Sequence, residues 1–224
     1  MKYLKQLFFG LLILSSCTTT KPLTSSVNQN EISDLQSFEP VSYISLIERG
    51  NRGKFNDSLS QSSQELITSA LNSYPNNIPL TGNITVIEPR IKQILAKDIE
   101  NLCISAVRQK TIATLKITPM LDSLLESRGK RFGIITAATG FTRKKGNYGG
   151  QIAKGVLTGI LTMGMYYQTP IKANSTIYAM IVDSKNNNIA FFRKSFVQDK
   201  DPLDEDVIKK QIQKLFEGYF WTKQ

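Results

Sequence analysis

Apolar positions fall into three regimes along the chain. A run from Leu7 to Leu14 is followed by a polar, Ser- and Thr-rich stretch through residue 40, and from residue 57 apolar residues return at regular spacings. Leu59, Ser63, Leu66, Ile67, Ala70, Leu71 and Tyr74 share one helical face, which predicts a helix capped by Asp57 and closed by Pro75. A second helix is expected from Glu88-Pro89, with a buried stripe of Ile91, Ile94, Leu95, Ile99, Leu102, Cys103 and Ala106. A shorter helix, PMLDSLLESRG, starts at Pro119 and stops at Gly129. RFGIITAATGF then reads as a buried strand. Residues 176–183 and 189–197 are β-branched and aromatic runs flanking the turn-rich 184–188, a β-hairpin pattern. The last helix, DPLDEDVIKKQIQKLFEGYF, holds Asp204, Glu205 and Asp206 in its first turn and lysines later, as the helix dipole favours. Its inner face is Ile208, Ile212, Leu215, Phe216 and Tyr219, and Tyr219-Phe220-Trp221 is expected to dock on the core. Helices packed on a small, largely antiparallel sheet, after a helical N-terminal half, give one α+β domain over residues 41–224.

The N-terminal run has a different reading. Lys2 and Lys5 precede the apolar Leu7–Leu14, and small Ser15 and Ser16 lead into Cys17. This is the layout of a secretory signal peptide over residues 1–16, too short to span a bilayer as a helix. Leu14-Ser15-Ser16-Cys17 resembles a bacterial lipobox. That resemblance implies cleavage before Cys17 and acylation of Cys17, whose thiol is the nucleophile for alkylation. Residues 17–40 then read as a lipidated flexible tether. No acidic cluster follows Cys17, which favours an outer-membrane protein facing the periplasm.

Residues 146–170, GNYGGQIAKGVLTGILTMGMYYQTP, interrupt the strand–hairpin order. Gly155 and Gly159 stand four apart, a spacing that allows close helix approach. Three readings stand side by side: a packing segment of the core, an oligomer contact or membrane-facing flap, and a transmembrane element. The segment is short for a span and carries Lys154, so it is expected to pack or associate. Gly155, Gly159, Tyr166 and Tyr167 are the candidate partner or oligomer contacts.

Charge and composition narrow the chemistry. There are 28 Lys and Arg against 18 Asp and Glu, a formal net charge of +10, and no histidine. Missing histidine removes the commonest general base and zinc ligand, and every Ser/His or Cys/His pair. Of the two cysteines, Cys103 falls on an apolar stripe and reads as structural. No metal or cofactor is expected. Basic charge favours anionic partners. Arg143, Lys144 and Lys145, together with Arg128, Lys130 and Arg131, are candidates for contact with anionic lipid or cell-wall polymer, and nucleic acid is not expected for an exported protein. Gly146-Asn147-Tyr148-Gly149-Gly150 lacks a P-loop ending and reads as a flexible loop.

From Ile117 onward, MLDSLLESRGKRFGIITAATGF and IYAMIVDSKNNNIAFFRKSF resemble a group of small envelope lipoproteins. The group includes the curli-secretion lipoprotein and the lipoprotein activators of penicillin-binding proteins, and has an anticodon-binding-like α/β domain. The resemblance implies a noncatalytic protein that assembles or activates an envelope protein partner, with self-association open. The competing expectation is an enzyme acting on an envelope polymer. With histidine absent, its carboxylates would come from Asp122, Glu126 or Asp183.

Overall fold

The computed structural model describes residues 19–20, 24–74, 77–109, 111–163 and 170–221. In chain order these form β1 (Thr19–Thr20), β2 (Thr24–Ser25), a 3-10 turn (Gln29–Glu31), β3 (Leu35–Phe38), β4 (Val41–Ile47), β5 (Lys54–Phe55) and α1 (Asp57–Asn72). There follow β6 (Leu80–Ile84), α2 (Pro89–Arg108), α3 (Pro119–Glu126), β7 (Phe132–Arg143), α4 (Asn147–Leu161), β8 (Asn174–Asp183), β9 (Asn188–Gln198) and α5 (Glu205–Phe216). The α+β class and the hairpin–helix order of the C-terminal half are as the sequence predicts.

The sheet is mixed. β7, β8 and β9 form its long antiparallel ladders, while β3 and β4 both run parallel to β7 on its other edge. β3 covers the start of β7 and β4 covers its end, with a break at Glu39-Pro40, where proline has no N–H to give to the ladder. β6 lies parallel to β3 on the outside.

Side chains alternate along β8 as strand geometry requires: Ile177, Ala179 and Ile181 enter one core, Met180 and Val182 the other. On the first face Ile67, Ala70 and Leu71 of α1 meet Ile208, Ile212, Leu215 and Phe216 of α5. On the second, Leu95, Ile99, Leu102 and Ala106 of α2 meet Leu121 and Leu125 of α3. Helices therefore cover both faces, which is why the central strands read as nearly continuous apolar runs. Gln211 is buried inside the first layer, where it accepts from Ser175 Oγ at 2.8 Å and donates to the Ser195 carbonyl at 3.3 Å.

Two expectations need correction. The stretch assigned to a flexible tether joins the folded body from Thr24: Val27, Ile32, Leu35 and Phe38 are buried core residues. β3 sits between β6 and β7 with all four residues buried. The physical reason is local: Gln36 and Ser37 make the segment look polar, yet Gln36 Nε2 donates to Thr81 Oγ1 at 2.7 Å and so is satisfied when buried. The N-terminal half, expected to be helical, likewise supplies β1 to β6, with α1 set between β5 and β6. A smaller shift concerns α1, whose cap is Asn56, accepting from the Leu59 amide at 3.0 Å.

Candidate functional site

α4 leaves the sheet at the end of β7. Gly146, the residue before it, has φ +86, a left-handed conformation that glycine takes without strain and that turns the chain off the strand. Arg143 fixes this departure. Its guanidinium donates to the carbonyls of Gly50 and Ile171, both at 2.9 Å, to Asn147 Oδ1 at 2.7 Å and to Asn51 Oδ1 at 3.0 Å. The Lys144 amide donates to the Ile47 carbonyl at 3.0 Å, and Asn147 Nδ2 to the Glu48 carbonyl at 3.3 Å. Partial burial lowers the Arg143 pKa. Arg143 is thus a structural cleat joining the β4–β5 loop, the root of α4 and residue 171. An open cleft of about 650 Å³ lies beside it, lined among others by Tyr43, Phe141, Ile171 and Asn174.

Most apolar residues of the helix point away from the body. Ala153, Val156, Leu157, Ile160 and Leu161 form an apolar stripe at helical spacing. That stripe faces outward: Leu157 is 58% exposed, Ile160 70%, Leu161 74%, and Met163 just beyond it 92%. The half-covered face is mixed, with Tyr148 and Ile152 beside Gln151, Gly155, Thr158, Gly159 and Thr162. No residue of α4 is buried. This corrects the expectation of a packing segment. Gly155 and Gly159 are half-covered. Tyr166, Tyr167 and Cys17 lie outside the described residues. Among the described residues no helix is long and apolar enough to cross a membrane.

The candidate basic patch separates into two ends. Arg131, at the start of β7, is held by Asp183 through two bonds, Nε at 2.9 Å and Nη2 at 2.7 Å, which raise its pKa. Lys130 pairs with Asp34 at 2.6 Å and holds that carboxyl below its usual range, with help from Thr81. Arg128 donates to the Asn83 carbonyl. Lys144 and Lys145 are exposed at the other end of the strand, about 40 Å away for twelve residues of strand.

The candidate carboxylates each have a place. Asp183 is fully buried; besides Arg131 it accepts from the Asn186 amide and from Asn186 Nδ2, closing the β8–β9 turn. Asp122 stands in the first turn of α3, where the helix dipole favours it, with Oδ1 buried and without a hydrogen-bond partner. Glu126 is exposed in the last turn. Among the described residues no group of acids and cysteines could hold a metal ion. Cys103 is buried and free, its thiol pushed up to about 12 by desolvation, which suits the structural reading.

What the sequence reading missed was the direction of α4. The stripe 153, 156, 157, 160, 161 was legible. The side it faces was not, because periodicity defines a stripe without saying what covers it.

No protein-family model matches the chain, and no curated protein matches it either. Solved structures do. The PelC dodecamer from Paraburkholderia phytofirmans is similar at 9% identity and a TM-score of 0.42, over 92% of this chain and 99% of that one. The C-terminal domain of LpoB from Salmonella enterica is similar at 10% identity and a TM-score of 0.32, over 78% and 87%. A DUF4136 family protein from Bacteroides thetaiotaomicron is similar at 8% identity and a TM-score of 0.34, over 89% and 92%. These are likenesses of chain path and carry no conclusion about activity.

Proposed function

We propose that this chain is a lipid-anchored lipoprotein of the bacterial outer membrane, facing the periplasm, that works by contact as an accessory or assembly factor and catalyses no reaction. The observation that supports it best is the outward apolar face of α4, with Leu157, Ile160, Leu161 and Met163 exposed. A contiguous apolar stripe held in water by a rigid root is a contact surface in search of a cover. The signal-peptide pattern ending at Cys17 supports a membrane location for that surface. An anchor, a folded body and an exposed apolar helix face together fit an assembly role.

The experiment is complementation of a deletion strain. Leu157→Glu with Ile160→Glu adds charge where side chains already meet water, so folding is retained while the contact is lost. The expected result is loss of the cellular phenotype with normal abundance. Asp122→Asn and Glu126→Gln are expected to complement fully. If either isosteric change abolishes function in a stably folded protein, while the α4 variant complements, the protein acts through a carboxylate and the contact reading fails.

A further inference from the structure

We infer that the exposed face of α4 docks on the anionic surface of the same membrane that holds the lipid anchor, giving the domain a second point of attachment. This rests on the lipoprotein reading and specifies what the contact surface touches.

The first support is register. Thr19 pairs with Phe196 of β9, Phe196 with Thr176 of β8, and Thr176 with Thr139 of β7. These four residues form one row across the sheet, about 14 Å wide at three strand spacings. β7 continues from Thr139 to Arg143 and delivers α4 from that same end. Cys17 is two residues before Thr19, so it lies at most ~7 Å from it. β1 runs antiparallel to β9, so its Thr19 end is the one nearer Gln198, which is paired with Asn174 and through it with Phe141. Thr19, two residues after Cys17 in the chain, and the root of α4 therefore stand at the same end of the sheet. A protein held by acyl chains at Cys17 presents α4 to the bilayer that receives them.

The second support is charge. Residues 143–172 contain five basic residues, Arg143, Lys144, Lys145, Lys154 and Lys172, and no acidic one. At the same end, Arg49, Arg52 and Lys200 balance Glu48, Asp199 and Asp201, so the excess remains positive. An anionic lipid surface attracts such a cluster, each basic residue near it adding to the affinity. A second copy docking through the same helix would bring two such clusters together, which like charges oppose. A helix of fifteen residues is about 22 Å long, short of the ~30 Å hydrocarbon layer, so α4 lies in the interface and does not cross it.

The test uses the full mature lipoprotein with a nitroxide on Ile160→Cys, and separately on Lys185→Cys in the β8–β9 turn at the opposite end of the sheet. Cys103 is buried with its thiol pushed up to about 12, and it stays unlabelled in the folded protein. The protein is reconstituted in vesicles of phosphatidylcholine with phosphatidylglycerol, and in phosphatidylcholine alone. Flotation and the mass of the N-terminal peptide report the anchor; collisions with oxygen and with a nickel chelate report the label's surroundings. The expected result in anionic vesicles is oxygen-rich, nickel-poor surroundings at residue 160, water-like surroundings at 185, and loss of the immersion at 160 with Lys144→Glu and Lys145→Glu. Low collisions with both reagents at 160, with spin–spin broadening relieved by unlabelled protein, would show a second copy covering the helix and overturn the inference. A floating, acylated protein whose label at 160 stays in water overturns it while the anchor stands. An unmodified Cys17 overturns the anchor reading and, with it, the two-point attachment.

Discussion

Gly133→Ala is a single-carbon test of whether residues 35–38 belong to the middle of the sheet. A Cβ at position 133 would stand 2.5 Å from Phe38 Cε2 and 3.1 Å from Leu125 Cδ2. Carbon pairs settle at about 3.5–4.0 Å, so the Phe38 ring has to move by roughly 1 Å. It cannot move freely, because Phe38 and Leu125 are both buried in the core that α2 and α3 form against the sheet. Overpacking of this kind costs ~1–3 kcal/mol. Replacing a strand glycine returns ~0.5–1 kcal/mol of backbone entropy, leaving a net destabilisation of at most about 2.5 kcal/mol. Phe38→Leu alone destabilises by leaving a gap, but it also removes the ring edge that the new Cβ meets. The double variant should therefore be more stable than the sum of the single losses by at least ~1 kcal/mol. Urea unfolding followed by Trp221 fluorescence and by circular dichroism gives the three differences, provided the two probes coincide. If Phe38→Leu is neutral, or the pair is additive to within ~0.5 kcal/mol, β3 does not lie against β7 and the packing described here is wrong.

Asp183→Asn should destabilise by about 2–3 kcal/mol. It removes one of the two carboxylate oxygens that hold Arg131, a group about a third exposed, and turns an amide N–H toward it; a Tm equal to wild type would contradict that role. Cys103 should resist alkylation in the folded protein at neutral pH and react promptly once unfolded, as peptide mass mapping would show. Its folded pKa, about 12, lies above the unfolded value. The thiol's contribution to stability is therefore complete below pH ~8.5 and declines as pH rises beyond it. Rapid labelling without unfolding would show an accessible thiol.

The helices and the C-terminal hairpin were legible because their signals are local and redundant. α2 has a proline at its first position and a long apolar stripe, and α5 has acids in its first turn and a lysine in its last. β3 was not legible, since four residues with Gln36 and Ser37 at their centre give no period, and their burial depends on Thr81 and on β7, both distant in sequence. β4, VSYISLI, is rich in β-branched and apolar residues, with Ile44 and Ile47 buried and Tyr43 exposed, but its burial does not alternate strictly. At the candidate site the composition of α4 was readable and its orientation was not. Arg143 looked like part of a basic surface run, and only the loop carbonyls it reaches reveal it as the fastening of the helix.

The most direct test of the account is the mass of the N-terminal peptide of the native protein recovered from outer membranes. A peptide beginning at Cys17 and carrying diacylglycerol and an N-acyl chain is the result predicted here. A membrane-bound protein with an unmodified Cys17, or one retaining residues 1–16, would contradict it.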